Sequence, residues 1–70
     1  MDLHWEDGFE IGVRIENGAA VLAANRAGLR SLAGIFAALA EEPPGSHVHL
    51  DAFNALEDGA AELIVEHVDG

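Results

Sequence analysis

The first third of the chain alternates apolar and polar side chains with a period of two. Phe9 to Glu16 alternate without interruption, which is the pattern of a β-strand with one buried face. This pattern predicts that Phe9, Ile11, Val13 and Ile15 face the core.

A turn and a second strand follow this alternation. Asn17-Gly18 is the dipeptide that best tolerates the two positive φ angles of a type I′ turn, and Ala19 to Ala24 continue as a strand. Since a two-residue loop fixes the register, the hairpin is predicted to place Val13 opposite Leu22 on the core side.

The period then changes to that of a helix. Asn25 is a suitable helix cap, and the helix is predicted to run from Arg26 to about Glu41, where Pro43 and Pro44 prevent its continuation. Apolar residues recur at helical spacing and are predicted to face the core: Leu29, Leu32, Ala33, Phe36, Leu39 and Ala40. The opposite face carries small residues that allow close approach of another backbone: Ala27, Ser31, Gly34 and Ala38.

Two further strands are predicted after the helix. His47 to Asp51 form a short strand with Val48 and Leu50 inward, and Leu63 to His67 form the last one. Phe53 and Leu56 in the connection are expected to hold it on the core. The order is ββαββ, which predicts an α+β fold with a four-stranded, mainly antiparallel sheet and one helix packed on one face. Residues 1–70 are expected to form a single small domain in which residues 1–8 are either a tail or an extra strand.

The composition excludes several classes of function. The 70 residues include 13 acidic side chains, 3 arginines and no lysine, for a formal net charge of −10. Binding to nucleic acid or to an anionic membrane needs clustered basic residues, so neither is expected. Half of the residues are hydrophobic, which argues for a folded chain, and the absence of cysteine excludes disulfides and thiolate chemistry. Without a signal-peptide pattern or a long apolar run, the protein is expected in the cytoplasm.

Two histidines suggest a metal site. His47 and His49 are two apart on a predicted strand, so their side chains share a face with Cα atoms about 6.6 Å apart. A third ligand would come from Glu62 or Glu66 on the last strand. Ordinary surface ion pairs explain the same residues, so no metal and no cofactor are predicted. Catalysis is not predicted either, because the sequence has no nucleophile motif, no threonine or tyrosine, and no phosphate-binding glycine loop.

Carboxylates are frequent in the second half of the chain. They include Glu57, Asp58, Glu62, Glu66 and Asp69, together with two glutamates at the end of the helix. An acidic surface of this kind steers a basic partner and raises its association rate, although solubility alone would also account for it.

Four short motifs follow one another along the chain: Asn25-Arg26-Ala27-Gly28-Leu29-Arg30-Ser31-Leu32-Ala33, Gly45-Ser46-His47-Val48-His49-Leu50-Asp51, Leu56-Glu57-Asp58-Gly59 and Glu62-Leu63-Ile64-Val65-Glu66. In this order they resemble the immunity protein 32 family, a group of small bacterial proteins associated with polymorphic-toxin systems. The resemblance covers roughly residues 9–67. This chain differs from the family in its many alanines and in lacking a lysine near its end.

The resemblance implies an inhibitor that binds a cognate toxin domain, covers its active site and has no catalytic activity of its own. The toxin is expected to be basic, in view of the acidic chain. The expected contact residues are His47, His49, Asp51, Glu57, Asp58, Glu62 and Glu66. Two alternatives stay open: a homodimeric module that packs through Val21, Ala23 and Ile64, and a small metal-binding domain that uses His47 and His49.

Overall fold

The predicted element order is confirmed. A computed structural model describes residues 1–52 and 54–70. These residues form an α+β fold with the elements β1 (Ile11–Glu16), β2 (Ala19–Ala24), α1 (Arg26–Ala40), β3 (His47–Leu50) and β4 (Leu63–Glu66). Both strand pairs are antiparallel, as the period-two segments predict.

The first hairpin has the predicted turn and register. Asn17 and Gly18 both have positive φ, at 51° and 81°, and Val13 lies opposite Leu22. Val13 is buried as predicted, whereas Leu22, also predicted on the core side, is 41% exposed. The prediction that Ile15 faces the core is wrong, because its side chain is 64% exposed. The start of α1 packs on the other end of the hairpin, where Gly28 approaches Ile11, and the end beside the turn is left uncovered.

The described strands are divided between two two-stranded sheets, β1–β2 and β3–β4, whereas the sequence pattern predicts one four-stranded sheet. The chain that precedes β4 lies along the free edge of β1. The amide of Glu57 donates to the carbonyl of Ile11 at 2.9 Å, and the amide of Ala61 donates to that of Val13 at 2.8 Å. A turn between these two bonds, closed by the Ala60 amide on the Glu57 carbonyl at 3.1 Å, interrupts a regular ladder.

Asn25 caps α1 and ties it to the chain before β1. Its Oδ1 accepts from the amides of Gly28 at 2.8 Å and Glu10 at 3.0 Å, while its Nδ2 donates to the carbonyl of Gly8 at 2.9 Å. One amide side chain therefore satisfies a free helix donor and fixes the entry to β1.

The buried face of α1 differs from the predicted one. It consists of Gly28, Ser31, Leu32, Ile35 and Leu39. Leu32 and Leu39 are buried as predicted. The prediction is wrong for Leu29 and Phe36, which are 55% and 40% exposed, and for the exposed Ala33 and Ala40. The cause is the contact at Gly28, where an added Cβ would stand 2.6 Å from the Glu10 carbonyl oxygen. This approach turns Ile35 inward and Leu29 outward.

The N-terminal segment, defined here as residues 1–9, runs as irregular chain over the side of α1 that carries small residues. The amide of Glu6 donates to the Oγ of Ser31 at 2.8 Å. Trp5 stacks on Phe9 with ring centroids 4.8 Å apart, and both rings pack against the core. This side of the helix thus admits another backbone at Ser31, and that backbone belongs to the same chain.

The core lies between α1 and the strands. Val48 and Leu50 of β3 are buried, as predicted, and Leu56 holds the β3–β4 connection in place at 5% exposure. The companion prediction for Phe53 falls outside the described residues. No helix in the part of the chain that the structure describes is long and apolar enough to cross a membrane.

Candidate functional site

The outer face of the β3–β4 hairpin brings four of the predicted site residues together. His47 lies opposite Glu66 in the register, and His49 lies opposite Ile64. The two imidazole rings meet edge to face with centroids 5.0 Å apart, so both histidines lie on the same face. This face is turned away from the core, because the alternate residues of β3 are the buried ones.

Glu62 completes the group from the other side of the hairpin. Its Oε2 lies 3.9 Å from the Nδ1 of His49, and both side chains are about half exposed. A surface pair of this length adds at most about 1 kcal/mol to stability. The fold therefore depends little on these side chains, which leaves their donors and acceptors available to a partner.

The remaining predicted residues lie along the β3–β4 connection. Asp51 is half-buried after β3, and its carbonyl accepts from the amides of Asn54, Ala55 and Leu56. Glu57 borders an open concavity of about 450 Å³ beside Gly12 and the start of α1, and no histidine lines that concavity. Asp58 is exposed in the turn before Gly59. The seven predicted residues thus divide into two groups. The outer-face group consists of His47, His49, Glu62 and Glu66, and the connection group consists of Asp51, Glu57 and Asp58.

A second concavity adjoins the histidines. It encloses about 710 Å³ and is lined by Leu3, the Pro43-Pro44 turn and both His47 and His49. Among residues 1–52 and 54–70, no three histidine or carboxylate side chains stand where they could hold one metal ion. The arrangement offers imidazole and carboxylate groups for hydrogen bonds and ion pairs with a protein surface.

Sequence reasoning missed a set of exposed apolar residues beside β4. Phe36 was predicted to be in the core, and Val68 was assigned no role, yet the two line one groove together with Val65. The signal that could have revealed them is the second apolar stripe of α1, which passes through Gly28 and Ile35 and competes with the stripe through Leu29 and Phe36.

The family comparison matches four of the five elements of this architecture. The model of the family described as Immunity protein 32 matches residues 20–68, which run from β2 through α1 and β3 to just beyond β4. The chain belongs to the immunity protein 32 family. No curated protein and no solved structure shows significant similarity to it.

Membership in the immunity protein 32 family implies a toxin-neutralising role and a toxin as the binding partner. The matched range contains the outer-face group and the connection group, while β1 and the N-terminal segment precede it. The predicted contact residues therefore all lie within the part of the chain that matches the family.

Proposed function

We propose that this protein binds a cognate toxin domain in a stoichiometric complex and covers the toxin's active site without catalysing a reaction. The observation that carries the proposal is the immunity protein 32 match over residues 20–68, which includes α1, β3 and β4. The proposal places the protein in the cytoplasm, together with the toxin that it inhibits.

The charge of the chain favours a basic toxin. The formal net charge is −10, and the carboxylates of Glu57, Asp58, Glu62 and Glu66 are all exposed. Complementary charge steers encounter and discourages wrong partners, and partly desolvated carboxylates at an interface need basic counterparts. A toxin whose active site lies on a basic surface meets both conditions.

We propose that the outer-face group and the connection group together supply the polar contacts. His47, His49, Glu62 and Glu66 present donors and acceptors on one exposed hairpin, with Ile64 among them as an apolar contact. Asp51, Glu57 and Asp58 extend the acidic surface along the connection. Polar residues that surround an apolar centre are the usual composition of a protein interface.

A growth-rescue assay tests the proposal. The toxin encoded beside this chain is expressed in a sensitive host with and without the chain, and the two proteins are then purified together. Rescue with a 1:1 complex is the expected result. Toxicity that the chain does not relieve, with no complex on a sizing column, would contradict the proposal.

The double variant Glu57→Lys with Asp58→Lys tests the acidic surface within the same assay. It is expected to lose rescue, because it reverses two exposed charges that would face a basic partner. The matched control is Asp2→Lys with Asp7→Lys, which makes the same change in net charge at two exposed acids outside the predicted contact residues. Equal rescue by both double variants would exclude Glu57 and Asp58 from the interface.

A further inference from the structure

One side of α1 remains uncovered and apolar. Leu29 and Phe36 are 55% and 40% exposed, and the exposed alanines Ala33, Ala37 and Ala40 lie beside them at helical spacing. The N-terminal segment packs on the opposite side of the helix, through the Glu6–Ser31 hydrogen bond, and leaves this stripe to solvent. The uncovered side of a surface helix is ordinarily polar, so this stripe is suited to contact with another molecule.

The stripe ends in a groove between α1 and the chain after β4. Phe36 and Ala40 line it from the helix, and Val65 and Val68 line it from the other element, around a volume of about 320 Å³. The Nδ1 of His67 lies 3.2 Å from the carbonyl oxygen of Leu39, a contact that holds the two walls together. The groove is therefore formed by two connected elements before any partner arrives.

Acidic residues occur in the lining of this groove and directly after its lining residues in the chain. Glu66 is part of its lining, and the exposed Glu41 and Asp69 directly follow Ala40 and Val68. The two arginines of α1, at positions 26 and 30, lie near the other end of the helix. A second copy of this chain would bring a further formal charge of −10, so repulsion opposes a symmetric pair and favours a basic partner.

We propose that this groove receives an apolar side chain of the toxin, next to a lysine or arginine that pairs with Asp69. The proposal rests on the proposed function and names the surface that anchors the complex. A buried apolar anchor with charged groups at its edge is the arrangement in which a few residues carry most of the binding energy. In this proposal the acidic outer-face and connection groups raise the association rate, and the groove lowers the dissociation rate of the complex.

The test uses Val68→Asn, with Ile15→Asn as the matched control. Both residues are β-branched and highly exposed, at 69% and 64%, and both changes leave the net charge unaltered. The Kd for the toxin encoded beside this chain is expected to rise about tenfold or more for Val68→Asn and less than about twofold for Ile15→Asn. Thermal unfolding of each variant checks that the fold is intact.

A second measurement uses the absence of native cysteine. A cysteine placed at position 68 or at position 15 is labelled with an environment-sensitive dye, and the toxin is then added. A blue shift at position 68 with none at position 15 supports the proposal.

Three outcomes would overturn the proposal. If the wild type binds the toxin and Val68→Asn binds equally well, the groove is not the anchor and the proposed function stands. If the wild type does not bind the toxin, the proposed function fails and the groove proposal fails with it. If the dye at position 68 shifts with protein concentration in the absence of toxin, a second copy occupies the groove.

Discussion

The backbone amide of Glu6 donates to the Oγ of Ser31 at 2.8 Å, and the same hydroxyl donates to the carbonyl of Ala27 at 2.8 Å. Ser31 is 3% exposed, so both bonds lie away from water. This one side chain holds the N-terminal segment on the small side of α1. Because that side is occupied, the side with Leu29 and Phe36 is the one that faces solvent.

Ser31→Ala should lower the free energy of unfolding by about 1–2 kcal/mol, because it leaves the Glu6 amide without its acceptor. Urea unfolding measures this loss, and hydrogen exchange at the Glu6 amide should become faster. Ser46→Ala is the control, since Ser46 is half-buried and its side chain is not part of the helix contact. Unchanged exchange at Glu6 in Ser31→Ala would contradict the proposed hold on the N-terminal segment.

Two glycines of α1 should respond in opposite directions to alanine. A Cβ at position 28 would meet the backbone oxygen of Glu10 at 2.6 Å and the Cγ1 of Ile11 at 2.9 Å, so Gly28→Ala should cost about 2 kcal/mol. A Cβ at position 34 meets no atom within 4 Å in the part of the chain that the structure describes. Gly34→Ala should therefore stabilise the protein by about 0.5–1 kcal/mol through helix propensity.

Thermal or urea unfolding of the two alanine variants measures both effects on one helix. Their opposite signs make each variant the control for the other, since a general effect of alanine on α1 would move both in the same direction. Equal stabilisation by both substitutions would show that α1 does not approach β1 closely at Gly28.

Local features of the sequence were sufficient to predict the elements of this fold. The Asn17-Gly18 turn, the Asn25 cap and the period-two segments are determined by neighbouring residues, and all of them are found where the sequence places them. The rotation of α1 and the separation of the sheets depend on tertiary contacts. The close approach of Gly28 to the Glu10 carbonyl and the hydrogen bond from the Glu57 amide to the Ile11 carbonyl join residues far apart in the chain. The periodicity of neighbouring residues does not indicate such contacts.

In the candidate site, too, some features follow from neighbouring residues and others depend on tertiary contacts. The shared face of His47 and His49 follows from the alternation of a strand and is observed, with the rings 5.0 Å apart. The competing apolar stripe of α1 through Gly28 and Ile35 could have indicated that Phe36 is exposed. The position of Val68 beside it could not be predicted, because it depends on the path of the chain after β4. Periodicity identified an apolar side of the helix, but four of the six residues that it assigned to the core are exposed: Leu29, Ala33, Phe36 and Ala40.

The rotation of α1 makes a direct prediction for Ile35 and Leu29. Ile35 is 2% exposed within the core, so Ile35→Ala should cost about 2–4 kcal/mol through lost burial and the cavity left behind. Leu29 is 55% exposed, and Leu29→Ala should cost less than about 1 kcal/mol. Urea unfolding of the two variants distinguishes a helix that buries Ile35 from one that buries Leu29. A larger loss of stability in Leu29→Ala than in Ile35→Ala would show that Leu29 is the buried residue.

The outer-face carboxylates should affect the kinetics of toxin binding more than the stability of the fold. Glu62 is 52% exposed and lies 3.9 Å from His49, a pair that contributes little to folding, so Glu62→Gln with Glu66→Gln should leave the free energy of unfolding almost unchanged. The association rate with a basic toxin should fall several-fold at low salt, and the difference from wild type should shrink as ionic strength rises. Stopped-flow mixing measures these rates, with Asp2→Asn and Asp7→Asn as the control for net charge alone. If the control slows association as much as the outer-face variant does, the steering comes from the overall charge of −10 and the outer face has no special part in it.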